Sequence, residues 1–191
     1  GHKVPFRLLA NPPDVKAYVT SIQPDEAGRI WYGCGRSICL LDGDRPVSLK
    51  DWGVPDGDWS ALCIDGNGSL WARSETALLE LPRGERRFIR RDRGLPSDAG
   101  YRKLGVDGAG RLYVPTSEGL ARRVGNGWEV IGKSRGLPVS SVECLFSDRE
   151  RNLWIGTQGA GLARWLGYPH WEHWTEAEGL GHELTWTLKR D

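Results

Sequence analysis

A repeat of about 41 residues constrains this chain more than any other feature of its sequence. Four segments that begin with Asp align in register, and they carry an aromatic residue at the same place, at Trp31, Trp71, Tyr113 and Trp154. Successive aromatic residues are 40, 42 and 41 positions apart. A second marker, Gly-Val-Pro, Gly-Leu-Pro or Gly-Leu, begins at positions 53, 94, 136 and 179. Two independent landmarks with one period predict an array of equivalent structural units.

Each cycle of the repeat has the pattern of four short strands. An apolar segment ends at the Asp, a turn follows, and three further apolar stretches alternate with Gly-rich or polar turns. Turn signals every 8 to 12 residues and period-2 alternation favour strands, and capped amphipathic helices are missing. Four-stranded units of this length in tandem are typical of β-propeller blades. The sequence therefore predicts an all-β fold of about four blades, each a four-stranded antiparallel sheet.

The repeat also sets the expected domain limits, which describe a single propeller arc over residues 1–191. The predicted blades are 14–54, 55–95, 96–137 and 138–179, and residues 180–191 form the first strand of a further blade. Partial strands at both ends indicate a fragment of a larger propeller. Because blades stack face to face, we expect the four repeated aromatic residues to be buried between adjacent sheets. Blade faces left open at the ends predict homo-oligomerisation.

Charge and composition exclude several classes of function. The chain has 26 basic and 25 acidic residues, so it lacks the basic surface that nucleic-acid binding needs. No cofactor motif is present, and His170 and His173 do not predict a metal site, because residues three apart on a strand point to opposite faces. The four cysteines lack paired zinc spacing. Cys34 and Cys39 are close enough for a disulfide across a hairpin, and the sequence leaves this pairing open.

The fourth cycle carries a family resemblance. The segment GLPVSSVECLFSDRERNLWIGTQGAGLAR resembles the two-component regulator propeller repeat, and the third cycle, GLPSDAGYRKLGVDGAGRLYVPTSEGLARR, is also similar to it. The resemblance implies the extracytoplasmic sensor part of a bacterial hybrid histidine kinase or diguanylate cyclase-type protein. It further implies a membrane-anchored parent protein and a periplasmic location.

Propeller geometry predicts where a binding site would lie. Loops between the second and third strands, and loops from one blade to the next, gather at the same end of the blades. The polar residues of these loops form a candidate ligand-binding set, with no catalytic or metal-binding member: Arg36, Asp56, Asp58, Glu75, Asp98, Glu118, Gln158, His182 and Glu183. The expected partner is a small molecule, a glycan or a protein.

Three functions remain open at the level of sequence. The resemblance favours a non-enzymatic sensor domain that binds a ligand or a partner. A propeller-type lyase or lactonase is the enzymatic alternative, although clustered His, Glu or Asp residues at equivalent strand ends are missing. A scaffold that serves assembly alone is the third. We therefore expect a protein that is not an enzyme.

Overall fold

The fold is all-β, as the repeat predicts. A computed structural model describes residues 18–97, 103–139, 141–167 and 170–188. Within these ranges, sixteen strands form four antiparallel sheets of four strands each, accompanied by two single-turn 3-10 helices, Lys133–Arg135 and Glu176–Glu178. The prediction of four-stranded blades is confirmed, and we refer to the sheets in chain order as blades 1 to 4.

Blades 1 and 2 contain the first eight strands, and in each blade the strands are ordered as they occur in the chain. Blade 1 consists of β1 (Val19–Pro24), β2 (Ile30–Cys34), β3 (Ser37–Asp42) and β4 (Arg45–Val47). Blade 2 consists of β5 (Ala61–Ile64), β6 (Leu70–Arg73), β7 (Leu78–Leu81) and β8 (Ile89–Arg90).

Blades 3 and 4 repeat the same order of strands. Blade 3 consists of β9 (Gly105–Val106), β10 (Leu112–Thr116), β11 (Gly119–Val124) and β12 (Gly127–Ile131). Blade 4 consists of β13 (Val142–Ser147), β14 (Leu153–Thr157), β15 (Leu162–Gly167) and β16 (His170–Trp174). After blade 4, Leu184 forms a single antiparallel bridge with Gln158.

The first strand of each blade is its innermost strand. Strand β1 contacts β5, β5 contacts β9, and β9 contacts β13, so consecutive first strands lie side by side. The blades therefore follow one another around a common axis, and each packs a face against the next. This is the arrangement of a propeller arc.

An Asp closes the turn between the first and second strands of every blade. In blade 2, Oδ1 of Asp65 accepts hydrogen bonds from the backbone N–H groups of Asn67 and Ser69, at 2.9 and 3.0 Å. Its Oδ2 accepts a hydrogen bond from Nε1 of Trp71 at 2.8 Å. The repeat motif is thus a unit in which one carboxylate closes the turn and orients the aromatic ring.

The repeated aromatic residues point toward the following blade. Trp31 packs with residues of blade 2, Trp71 with residues of blade 3, and Tyr113 with residues of blade 4. All three are buried, which confirms the expectation for these positions. The layers between blades are completed by further aromatic contacts, among which Trp71 meets Trp128 edge-on at 6.4 Å.

The expectation that Trp154 is buried between two sheets is wrong. Its neighbours in the strand, Leu153 and Ile155, are buried against blade 3, so Trp154 points to the opposite face of blade 4. None of the four described blades covers that face, and Trp154 is only half-buried. It stacks on Trp174 at 5.2 Å, and the Arg164 guanidinium lies 5.1 Å from its ring centroid.

Cys34 and Cys39 form a disulfide, which answers the question that the sequence left open. Their Cα atoms are 5.9 Å apart on neighbouring strands β2 and β3. Both are buried beside Tyr32 on the face of blade 1 opposite to Trp31. Cys63 and Cys144 are free thiols, and burial raises the pKa of Cys63 to about 12.

Candidate functional site

The connections between strands divide the molecule into two ends. Because consecutive antiparallel strands alternate in direction, the β2–β3 turn and its equivalents lie at the same end as the connections between blades. We call this end the loop face and the opposite end, which carries the Asp turns, the turn face. Eight of the nine predicted binding residues belong to segments of the loop face, and the ninth, Asp98, lies outside the described residues.

Arg36 and Asp56 form a bidentate ion pair on the loop face. Nε of Arg36 donates to both carboxylate oxygens of Asp56, at 2.9 and 2.8 Å, which joins the β2–β3 turn to the connection between blades 1 and 2. Hydrogen bonding to Arg36 holds the pKa of Asp56 below its usual value. Both side chains are about two-thirds exposed, at 67% and 69%, so solvent screens the pair and leaves it accessible to a ligand.

Asp58 follows in the same connection and is half-buried. Its backbone carbonyl accepts a hydrogen bond from the N–H of Ser60 at 3.1 Å. The adjacent Trp59 is fully buried, and its carbonyl accepts a hydrogen bond from Oγ1 of Thr20 on the innermost strand of blade 1. This connection is therefore fixed against blade 1 on its inner side, while Asp56 projects outward.

Glu75 lies at the edge of a cavity of about 190 Å³ between blades 2 and 3. Arg73 and Ser97 also line this cavity, and Ser97 Oγ is 2.8 Å from Ser117 Oγ in the corresponding turn of blade 3. Glu118 is the exposed neighbour of Ser117, and its backbone N–H donates to Thr116 Oγ1. The structure thus places Glu75 in a recess and Glu118 on an open turn.

Gln158, His182 and Glu183 are brought together by backbone pairing at blade 4. The Glu183 carbonyl accepts hydrogen bonds from the N–H groups of Gly159 and Gly161, at 3.2 and 2.8 Å. Nδ1 of His182 accepts a hydrogen bond from the backbone N–H of Leu184 at 3.0 Å. Leu184 in turn pairs with Gln158. The segment after blade 4 therefore lies against the β14–β15 turn.

The predicted set therefore divides into separate groups, one at the junction of blades 1 and 2 and one at the end of blade 4, with Glu75 and Glu118 on the turns between them. Their joint role in binding stays a prediction. Within the described ranges, His, Cys, Asp and Glu side chains form no cluster of three or more with the geometry of a metal site.

Sequence reasoning missed Arg73, a buried charged residue of the loop face. Its guanidinium donates to the Pro115 carbonyl of blade 3, and it lines the same cavity as Glu75. A signal was available in the repeat. The position two residues after the conserved aromatic of the repeat is Gly33 in blade 1 and Gly156 in blade 4, whereas blade 2 has a charged side chain there.

A comparison with protein families identifies one repeat directly. Residues 136–159 match the family described as two component regulator propeller. The chain carries a two-component regulator propeller repeat. This repeat covers the Gly-Leu-Pro marker, the innermost strand β13, the Asp148 turn and strand β14, which are the parts on which the resemblance depends.

Solved structures share the propeller fold of this repeat protein. The extracellular domain assigned to the one component system BT4673 of B. thetaiotaomicron has a TM-score of 0.68 at 19% identity, over 84% of this chain and 22% of that domain. The corresponding domain of the hybrid two component system BT3049 has a TM-score of 0.67 at 14% identity, over 84% and 23%. The chain thus spans less than a quarter of these two domains.

An enzyme has a similar fold. Virginiamycin B lyase from Staphylococcus aureus has a TM-score of 0.59 at 14% identity, over 80% of this chain and 54% of the lyase. At such identities the likeness shows the fold alone. No curated protein sequence matches the chain. In the described part of the chain, no helix has the length and apolar character needed to cross a membrane.

Proposed function

We propose that this chain is a non-catalytic, ligand- or partner-binding part of the extracytoplasmic sensor domain of a bacterial transmembrane signalling protein. The match of residues 136–159 to the two component regulator propeller family supports this proposal. The fold shared with extracellular domains assigned to such signalling systems also supports it. The Cys34–Cys39 disulfide favours an extracytoplasmic location, because disulfides persist mainly in oxidising compartments.

The observation that carries the binding role is the recess on the loop face between blades 2 and 3. Its walls come from the β6–β7 turn of blade 2 and from the connection that follows β8, and its rim carries the exposed carboxylate of Glu75 beside Ser97. Polar groups on loops that a rigid scaffold positions are the usual form of a binding surface. Such a recess holds a few polar atoms of a ligand, and the neighbouring turns supply the remaining contacts.

A thermal-shift screen of the chain against small molecules, glycans and short peptides tests this function. We expect at least one class of compound to raise the melting temperature in a saturable way, because a ligand that binds only the folded state stabilises it. Glu75→Gln should reduce the shift. Glu85→Gln is the matched control, since Glu85 lies on the turn face in the β7–β8 turn.

The enzymatic alternative is tested with the same protein. The fold likeness to virginiamycin B lyase motivates incubation with a streptogramin B antibiotic, followed by mass spectrometry of the product. We expect the antibiotic to be recovered unchanged. Turnover of this compound, or of any ligand found in the screen, would contradict a non-catalytic role. A screen without any saturable ligand would instead favour the scaffold.

A further inference from the structure

A second cavity, of about 640 Å³, lies on the turn face between blades 3 and 4. Its lining combines two aromatic rings with four arginines, namely Tyr113, Trp165, Arg111, Arg122, Arg135 and Arg151. Tyr113 and Trp165 meet edge to face at 5.9 Å. This cavity shares no lining residue with the recess beside Glu75, so inferences about it do not depend on the proposed function.

Positive charge exceeds negative charge in this lining. Arg111 is paired with Asp107 at 2.7 Å. Arg122 and Arg135 both pair with one carboxylate, that of Glu129. Arg151 has no side-chain hydrogen bond or ion pair among the described residues. Together with Glu150, the cavity presents four guanidinium groups to three carboxylates.

The backbone of Arg151 is strained. With φ at 69°, it is the one described residue other than glycine in the left-handed region. The equivalent position of the Asp turn is Gly28 in blade 1, Gly68 in blade 2 and Gly110 in blade 3, with φ between 76° and 77°. Glycine adopts this conformation without steric cost, whereas an arginine there destabilises the fold. Strain of this kind at one of four equivalent turns points to a role for the side chain itself.

The neighbouring Asp turn of blade 3 leaves space for the Arg151 side chain. A Cβ atom at Gly108 would overlap both Cβ and Cγ of Arg151, so the absence of a side chain at Gly108 lets the arginine lie across the blade 3 turn. In the preceding pair of blades, the corresponding contact is made by Gly66 and Gly110 with backbone atoms alone. Among the four Asp turns, that of blade 4 therefore carries an arginine where the other three carry glycine.

Two donors in the same lining lack acceptors. Nε of Arg122 and Nε1 of Trp165 are buried and have no hydrogen-bond partner. Arg122 lies over the Trp165 ring, with 5.7 Å between its guanidinium carbon and the ring centroid. Trp165 is also stacked on Trp171 at 5.7 Å. Buried N–H groups without acceptors are costly to the folded state.

We propose that this cavity binds a small organic oxyanion, with Arg151 as its principal charged contact. Guanidinium groups match the geometry of carboxylate, sulfate and phosphate groups through paired hydrogen bonds. The exposed part of Trp165 provides a surface for the carbon skeleton of the ligand. The shared chemistry is the oxyanion group, and the experiment determines which of the three it is.

Titration of the whole chain with candidate ligands tests this proposal. Tryptophan fluorescence and calorimetry measure the binding. The probes are glucuronate, inorganic phosphate and inorganic sulfate, with glucose as the uncharged analogue of glucuronate and sodium chloride at equal ionic strength. We expect saturable binding of at least one oxyanion and none of glucose or chloride. Binding by glucuronate alone identifies a carboxylate, and binding by phosphate or sulfate alone identifies a tetrahedral anion.

Arg151→Gly separates a binding role from a structural one. The substitution relieves the left-handed strain, so we expect an equal or higher melting temperature together with affinity weakened about tenfold or more. Arg149→Ala is the matched control, because Arg149 is exposed in the same turn and does not line the cavity. Glu129→Gln should strengthen binding, since it removes the shared carboxylate. No oxyanion binding above the chloride effect, or equal affinities for Arg151→Gly and Arg149→Ala, would overturn the proposal.

Discussion

Nε1 of Trp71 lies 2.8 Å from Oδ2 of Asp65, and the same contact recurs in every blade. It joins Trp31 to Asp25 at 3.0 Å and Trp154 to Asp148 at 2.8 Å. In blade 3 the Tyr113 hydroxyl replaces the indole N–H, at 3.2 Å from Asp107. The other carboxylate oxygen closes the turn. The repeat therefore couples a local turn to the side chain that packs against the next blade.

Substitution of Asp65 tests this coupling. Asp65→Ala removes the acceptor for two backbone N–H groups and for the Trp71 indole, so we expect a loss of about 2–4 kcal/mol in the free energy of unfolding. Asp65→Asn keeps one acceptor oxygen and should cost about half as much. Urea denaturation measures both values. A loss for Asp65→Ala no larger than that for Asp44→Ala, in an exposed turn of blade 1, would show that the coupling does not stabilise the fold.

Trp71 and Trp154 occupy the same place in the repeat but differ in their surroundings. Trp71→Ala opens a cavity between two blades, and we expect it to cost about 3–5 kcal/mol. Trp154→Ala removes a half-buried ring that contacts Trp174 and Arg164, so its cost should be about 1–2 kcal/mol. Denaturation of both variants in parallel measures the difference. Equal costs would mean that the face of blade 4 is covered in solution.

The uncovered face of blade 4, which carries Trp154, is the proposed surface for self-association. Trp154, Trp174 and Leu162 lie on the face of blade 4 that no described blade covers. We expect light scattering to show a fraction of dimer that increases with protein concentration, because a second copy buries the exposed apolar surface. Trp174→Glu should abolish it, whereas Ile89→Glu, an exposed position of blade 2, should not. A monomer at every concentration would contradict this expectation.

The disulfide of blade 1 gives a prediction about thiol number and stability. The unfolded, unreduced chain should contain two reactive thiols, those of Cys63 and Cys144, and four after reduction. Loss of the bridge in a Cys34→Ala, Cys39→Ala double variant should cost about 2 kcal/mol, the effect of closing a short loop in the unfolded chain. Four thiols without reductant would show that the pair is reduced.

Acid should destabilise the protein through its turn carboxylates. Burial acts to raise the pKa of Asp107, but hydrogen bonds from the Arg111 backbone and side chain and from Ala109 outweigh it, so the pKa is lowered in the folded state. The folded protein therefore binds this proton less readily than the unfolded chain does. Its contribution to stability is present above about pH 4, where the unfolded group is ionised, and is lost as pH falls through the lower folded value.

Urea midpoints measured from neutral pH to about pH 3 test this dependence, a range that extends below the pKa of an unfolded Asp. Asp107→Asn should be less stable at neutral pH and should lose less stability on acidification. An unchanged acid dependence in this variant would assign the effect to other carboxylates, such as Asp25 and Asp148, whose pKa values are also lowered.

The roles of several residues depend on chain segments that are distant in sequence, so the sequence pattern does not predict them. The spacing of Cys34 and Cys39 is compatible with a bridge, but the register that pairs Tyr32 with Cys39 and Cys34 with Ser37 places the two sulfur atoms within bonding distance. In the sequence Arg151 is an ordinary turn residue, and only its backbone φ of 69°, close to the 76° of Gly110, shows that it occupies a position that favours glycine. Arg73 becomes a wall of the loop-face recess because blade 3 provides its acceptor.

The sequence by itself determined the blade, since the Asp turn, the aromatic residue six positions later and the strand alternation depend on contacts within about 41 residues. Local hydrogen bonds and side-chain period are enough to specify such a unit. Tertiary structure alone decided that three of the four equivalent aromatic residues are buried and the fourth is not. It also decided which polar loop residues contact one another. Both depend on the neighbouring blade, because burial and cavity formation arise from surfaces that are distant in sequence and not from the repeat itself.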